Sequence, residues 1–255
     1  MILHAIEKGQ GGTPLVLLHG LFGRAANFGA LQTRLAATRR VLALDLRNHG
    51  HSPHAPGMAY PTLAADVAET LHRLHAWPCK LLGHSMGGKV AMTLALTQPD
   101  GVERLMIADI APVARPPAYR AFAAAMMALP LHPGMTRAQA DRHLAQAIPD
   151  ATMRLFLLQN FRPGAEPGWN CGLAEIADGL GFIESWPDLG ATFDKPTLAL
   201  TGERSDYVDA EGRAALRQYF PQLRLASLRR AGHWLHADNP DGFLATVEAF
   251  AGKEG

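Results

Sequence analysis

Short apolar runs recur along this chain, each closed by a turn residue. Residues 15–19 read LVLLH and stop at Gly20. Similar runs are 41–46 (VLALDL), 80–82 (KLL), 104–110 (RLMIADI) and 196–201 (PTLALT). Runs of four to seven apolar residues without alternation suit strands covered on both faces, as in a parallel sheet. Stretches with helical spacing lie between them. Residues 63–75 place Leu63, Val67, Leu71 and Leu74 three or four apart, which puts them on one helical face. Residues 27–38, 86–97, 210–219 and 242–250 also read as helices. Strands alternating with helices predict a doubly wound α/β fold.

The alternation fails between residues 112 and 187. No strand is obvious there, but helical pieces are, at 118–129, 137–148 and 152–160. Pro116-Pro117, Pro130, Pro133 and Pro149 punctuate them. We read an inserted helical cap over 112–187, with residues 1–111 and 188–255 forming the core domain. The 255 residues suffice for this arrangement, and 48% hydrophobic against 18% charged residues argues against disorder.

Charge and cysteine content narrow the setting. A net charge of +1 with no basic run gives no sign of nucleic-acid binding. The two cysteines, Cys79 and Cys171, imply no disulfide framework and suit a reducing compartment. Residues 1–12 lack the pattern of a secretory signal, and no apolar run reaches the ~20 residues of a membrane span. The expectation is a cytoplasmic enzyme, monomer or homodimer, without membrane attachment.

The strongest chemical signal is Gly83-His84-Ser85-Met86-Gly87, directly after CKLL and before an Ala/Met/Leu helix. G-x-S-x-G between a strand and a helix is a nucleophile elbow, with glycines where a sharp turn leaves no room for Cβ atoms. A structural serine in a glycine-rich turn would give the same five letters, so the flanking strand and helix carry the weight. Ser85 is the candidate nucleophile. His19-Gly20-Leu21-Phe22-Gly23 ends the first core strand, where this kind of fold supplies an oxyanion-hole amide. The hole is assigned to the N–H groups of Leu21 and Met86, with the His19 side chain bracing the loop.

Of twelve histidines, His233 alone falls in a Gly-flanked loop late in the chain and after an acid; it is the candidate base. The acid has two candidates. Asp206 follows the run PTLALT and is preferred; Asp109 ends RLMIAD, 24 residues after Ser85, and is the alternative. Asp45 and Asn48 read as braces of a loop closed by Gly50 and Pro53. His49, His51 and His54 have no Cys or acidic cluster nearby beyond Asp45, so no metal is expected. Phe22, Phe156, Phe161 and Trp234 are candidate substrate contacts. The cap carries Arg115, Arg120, Arg137, Arg142, Arg154 and Arg162, opposed up to that point by Asp141 and Asp150. They read as a solvated surface, with docking of an acidic carrier protein as the alternative.

Taken together, HGLFG at 19–23, DLRNHGHSP at 45–53, GHSMGGK at 83–89, DIAPV at 109–113, SDYV at 205–208 and AGHWLHADNP at 231–240 make the chain resemble the bacterial YbfF-type esterases and their eukaryotic α/β-hydrolase-domain relatives. The resemblance spans nearly the whole chain and is weakest in the cap. It implies an α/β-hydrolase fold with a helical cap and a cofactor-free carboxylic-ester hydrolase, expected to act on small to medium acyl esters through a serine acyl-enzyme. The charge partner of the histidine stays open, since this chain retains both Asp109 and Asp206. The resemblance also places Ser205 near the catalytic histidine. A thioesterase or carrier-protein methyl-ester esterase, and a non-catalytic ligand-binding member of the fold, are the other readings.

Overall fold

The computed structural model describes residues 1–116 and 119–252. In chain order the elements begin with β1 (Ala5–Lys8), β2 (Leu15–Leu18), α1 (Gly29–Leu35), β3 (Val41–Leu44) and α2 (Tyr60–Arg73). Next come β4 (Cys79–His84), α3 (Met86–Thr97) and β5 (Val102–Ala108). Then follow α4 (Arg120–Met127), α5 (Arg137–Leu144), α6 (Ala151–Leu158), β6 (Phe161–Arg162), β7 (Gly168–Trp169) and α7 (Leu173–Glu184). The chain closes with β8 (Thr197–Gly202), α8 (Ala210–Tyr219), β9 (Leu223–Leu228), α9 (Leu235–Asp238) and α10 (Pro240–Ala251).

Seven strands form one sheet in the order β1-β3-β2-β4-β5-β8-β9. Only β1 runs antiparallel to its neighbour; the others pair in parallel. The apolar runs behave as their composition requires: every residue of β2, β3, β4 and β8 is buried. On one face Leu63, Val67 and Leu71 of α2 pack with Val90 and Leu94 of α3. On the other, Leu31 and Leu35 of α1 meet Phe243, Leu244 and Val247 of α10. Each fully buried aliphatic side chain contributes roughly 1.5–3 kcal/mol. The first cluster continues without a break into Met126, Leu144, Leu157 and Ile176, so the cap shares the core of the domain beneath it.

The inserted helical region, α4 to α7, lies between β5 and β8. The helix expected from residue 118 begins at Arg120; Pro117 and Ala118 lie outside the described residues. The region also holds the hairpin β6–β7, two residues a side. Strands this short offer no alternation to read in sequence. The helix α7 and the short α9 were likewise not foreseen. Among the described residues, no helix is long and apolar enough to cross a membrane. Both thiols are free and buried, and burial pushes each up to about 12, so neither is a ready nucleophile.

Candidate active site

Ser85 occupies the turn from β4 into α3 with φ 52° and ψ −121°. A non-glycine residue held there carries roughly 1–3 kcal/mol of strain, tolerated only where the surroundings dictate it. They do so here. A Cβ on Gly83 would lie 2.1 Å from the Gly87 carbonyl oxygen, and one on Gly87 would lie 2.4 Å from that of Leu18. The Ser85 amide donates to the Ala108 carbonyl at 3.0 Å, and its own carbonyl accepts from Gly88 and Lys89 at 2.8 and 3.1 Å. The hydroxyl is thereby presented over the positive end of the α3 dipole.

His233 stands in the loop between β9 and α9. Its Nδ1 lies 2.8 Å from Asp109 Oδ2. A carboxylate can only accept, so Nδ1 carries the proton and Nε2 keeps a free lone pair. Asp109 is 1% exposed. Its Oδ1 accepts from the Gly202 amide at 3.0 Å, and its Oδ2 also accepts the Ser205 hydroxyl. The imidazole stacks on Tyr207 with centroids 3.7 Å apart. The His233 carbonyl lies 2.8 Å from Nε2 of His84, which donates to it. Burial, then the neighbouring His233 and His236, holds His84 neutral, well below the usual imidazole range. Ser85 and His233 line the same cavity, of about 400 Å³.

The carboxylate hydrogen-bonded to His233 is Asp109 and not the sequence-preferred Asp206. The Asp206 carbonyl lies 3.4 Å from the Arg115 guanidinium, and the residue borders a second cavity that His233 does not line. The position beside the imidazole is filled by Asp109, which the end of β5 carries there, and by the Tyr207 ring. Ser205 does sit beside the histidine, through Asp109.

The loop after β2 is held from several sides. His19 Nδ1–H donates to the Gly20 carbonyl at 2.8 Å, and its Nε2 accepts from the Leu46 amide at 3.0 Å. His49 Nδ1–H donates to the Arg47 carbonyl at 2.8 Å, and its Nε2 accepts from the Phe22 amide at 3.1 Å. Both rings therefore sit as neutral bridges; burial lowers His19 and brings His49 down to about 3. Asp45 accepts from the amides of Ala25 and His51 at 2.6 and 2.9 Å. Burial opposes its charge, but those amides together with His19 and His4 lower its pKa. Asn48 exchanges two hydrogen bonds with Ala55. The loop braces read from sequence thus have their expected partners, and His49 is committed to the backbone. Among the described residues, no three His, Cys, Asp or Glu side chains gather as a metal would need. Also among them, the Leu21 and Met86 amides have no backbone acceptor outside the regular elements. Met86 opens α3, so its amide lacks an intrahelical partner too.

Phe22, Phe156 and Trp234 line the larger cavity, with Phe28, Tyr119 and Met153. Phe156 meets Trp234 across it at 5.5 Å. Phe161 does not join them. It pairs with Trp169 in the cap hairpin, rings 5.6 Å apart, and is 1% exposed. Sequence reasoning missed Tyr119 and Tyr207, whose hydroxyls lie 2.9 Å apart. Tyr207 was within reach, being part of SDYV; Tyr119 carries no local signal. The cap arginines are largely engaged within the fold. Arg120 meets Glu184 at 2.8 Å, Arg154 meets Asp141 at 2.7 Å, and Arg115 lies over the Tyr207 ring.

The chain is similar to several known proteins. A family model described as the alpha/beta hydrolase fold matches residues 13–240. The chain is 40% identical over 245 residues to the sn-1-specific diacylglycerol lipase ABHD11 of Mus musculus, covering 92% of this chain and 80% of that one. It is 35% identical over 239 residues to esterase YbfF of Escherichia coli, covering 93% and 92%. A solved structure of a marine microorganism esterase superposes with a TM-score of 0.92 at 32% identity, covering 98% of this chain and 99% of the other.

Proposed function

Since this chain belongs to the α/β-hydrolase fold family and is a hydrolase of its esterase/lipase branch, we propose that it cleaves carboxylic esters through an acyl-enzyme on Ser85, with His233 as general base and Asp109 as its charge partner. The contact that carries this reading is His233 Nδ1 to Asp109 Oδ2 at 2.8 Å, in the wall of the cavity that Ser85 also lines. His233 Nε2 takes the proton as Ser85 Oγ attacks the ester carbonyl. The amides of Leu21 and Met86 receive the oxyanion; losing one such donor costs about 2.7–4 kcal/mol of barrier stabilisation in comparable enzymes. His233 then protonates the departing alcohol. A water activated by the same imidazole releases the acid. Asp109 fixes the tautomer and stabilises the imidazolium, while Ser205 and Gly202 hold its carboxylate.

The larger cavity, about 400 Å³ and walled by Phe22, Phe28, Met153, Phe156 and Trp234, suits small to medium apolar groups of the ester. The mouse relative's name adds the acyl chain of a glycerolipid as a candidate. A carrier-protein substrate is less well supported, because three of the six cap arginines, Arg120, Arg154 and Arg115, are engaged by Glu184, Asp141 and the Tyr207 ring.

A p-nitrophenyl ester series from acetate to long chains, run on wild type and Ser85→Ala, tests the reading. Wild type should turn over the esters and react with a fluorophosphonate; Ser85→Ala should do neither while staying folded. Normal turnover by the folded variant refutes it.

A further inference from the structure

Lys89, one turn into α3 from the nucleophile, is 1% exposed. Burial, then Arg115, pulls its ammonium down to about 7. Among the described residues no carboxylate forms an ion pair with it; Glu184, which borders the same second cavity, is engaged by Arg120. Its Nζ donates instead to two carbonyls, Val113 and Ser185, each at 2.7 Å. The ring of Tyr60 on α2 lies under it at 5.5 Å. The sequence positions of the two acceptors are the informative part. Val113 lies on the segment that leaves β5 for the cap, and Ser185 on the segment that leaves α7 to return to the core.

One ammonium on the nucleophile's own helix therefore ties down both connections of the cap. The two segments are also joined to each other, the Arg115 amide donating to the Glu184 carbonyl at 2.7 Å. The Tyr60 hydroxyl adds a bond to the Ile183 carbonyl at 2.6 Å. A buried Lys or Arg without a carboxylate carries a desolvation penalty, so a methylene chain would serve better if packing were its whole role. We propose that Lys89 is a positioning residue: it clamps the two cap hinges to α3 and so sets Tyr119 and Phe156 over Ser85. Its consequence for catalysis rests on the esterase reading above; its mechanical role does not.

The test separates the two. Lys89→Met keeps the volume and removes the donors. Hydrogen exchange on the whole protein should show amides of 112–116 and 119–187 opening about tenfold faster in the variant, with β4 and α3 unchanged. This readout needs no substrate. With p-nitrophenyl esters, KM for an octanoate should rise about tenfold, while kcat for the acetate stays within twofold. Where Lys89→Met yields no folded protein, Lys89→Gln decides. It keeps one N–H donor group on a shorter stem, and cap exchange should rise about threefold. A cap as protected as in wild type, or a core that opens in step with the cap, overturns the proposal in whichever variant folds. Failure of Ser85 to label with a fluorophosphonate in wild type would instead overturn the esterase reading alone.

Discussion

Replacing Asp109 by Asn tests its proposed role as charge partner of His233 at its most constrained atom. The carboxylate has two distinct faces: Oδ1 accepts the Gly202 amide at 3.0 Å, while Oδ2 accepts His233 Nδ1–H at 2.8 Å and the Ser205 hydroxyl. An asparagine must keep its carbonyl oxygen toward Gly202, because an NH2 there would face another donor. Its NH2 then points at His233. The imidazole can meet a donor only by moving its proton to Nε2, and that nitrogen can no longer accept from Ser85. A wrong-tautomer defect of this kind lowers kcat by about 10⁴ in the serine-protease triad, or roughly 5.5 kcal/mol of barrier. Some stability is lost as well, about 1–3 kcal/mol for a charge-assisted bond in a site 1% exposed. Asp206→Asn, which touches none of these atoms, should stay within twofold of wild type. Steady-state kcat on p-nitrophenyl butyrate, with urea melts to confirm folding, reads both. The reasoning fails if folded Asp109→Asn retains a tenth of wild-type kcat, or if Asp206→Asn loses more.

Three further outcomes are expected. Gly83→Ala should give no native protein, since its Cβ would sit 2.1 Å from the backbone oxygen of Gly87; a soluble variant with normal labelling would contradict the elbow argument. Acid should destabilise the fold through His49. Its folded pKa of about 3 lies below the unfolded value of 6.5, so its contribution is complete above pH 6.5 and is lost as pH falls toward 3. Between pH 6.5 and 4.5 this one group predicts a loss of about 2 kcal/mol, measurable by urea melts, and absent in a folded His49→Gln control. Asn160 donates from Nδ2 to the Phe22 carbonyl at 2.7 Å, linking the cap to the loop after β2 that is proposed to hold the oxyanion. Asn160→Leu should therefore lower kcat about tenfold on short esters; an unchanged kcat would show that the loop is rigid without it.

What the chain's letters settled were features whose physical cause is local. A short unbroken apolar run closed by a turn residue suits a strand covered on both faces, as in a parallel sheet, so β2, β3, β4 and β8 were legible. The elbow was legible because its φ of 52° and crowded neighbours demand glycine at fixed offsets from Ser85. The loop braces were legible because Asp45 and Asn48 accept from the amides of His51 and Ala55 in the same loop, whereas the second Asp45 bond, to the Ala25 amide twenty residues back, was not. What only the folded chain decided were choices between residues distant in sequence. Asp109 and Asp206 both end a strand-like run, and chain order favoured Asp206; the fold instead carries Asp109 at the end of β5 to His233, while the backbone carbonyl of Asp206 lies toward Arg115. Phe156 and Phe161 were equally aromatic, and the turn between α6 and a two-residue hairpin sends one into the cavity and the other into the cap. Tyr119 had no local signal, and Lys89 stood in GHSMGGK without its role being readable, because each acts across more than twenty residues of chain, on partners that only the fold brings together.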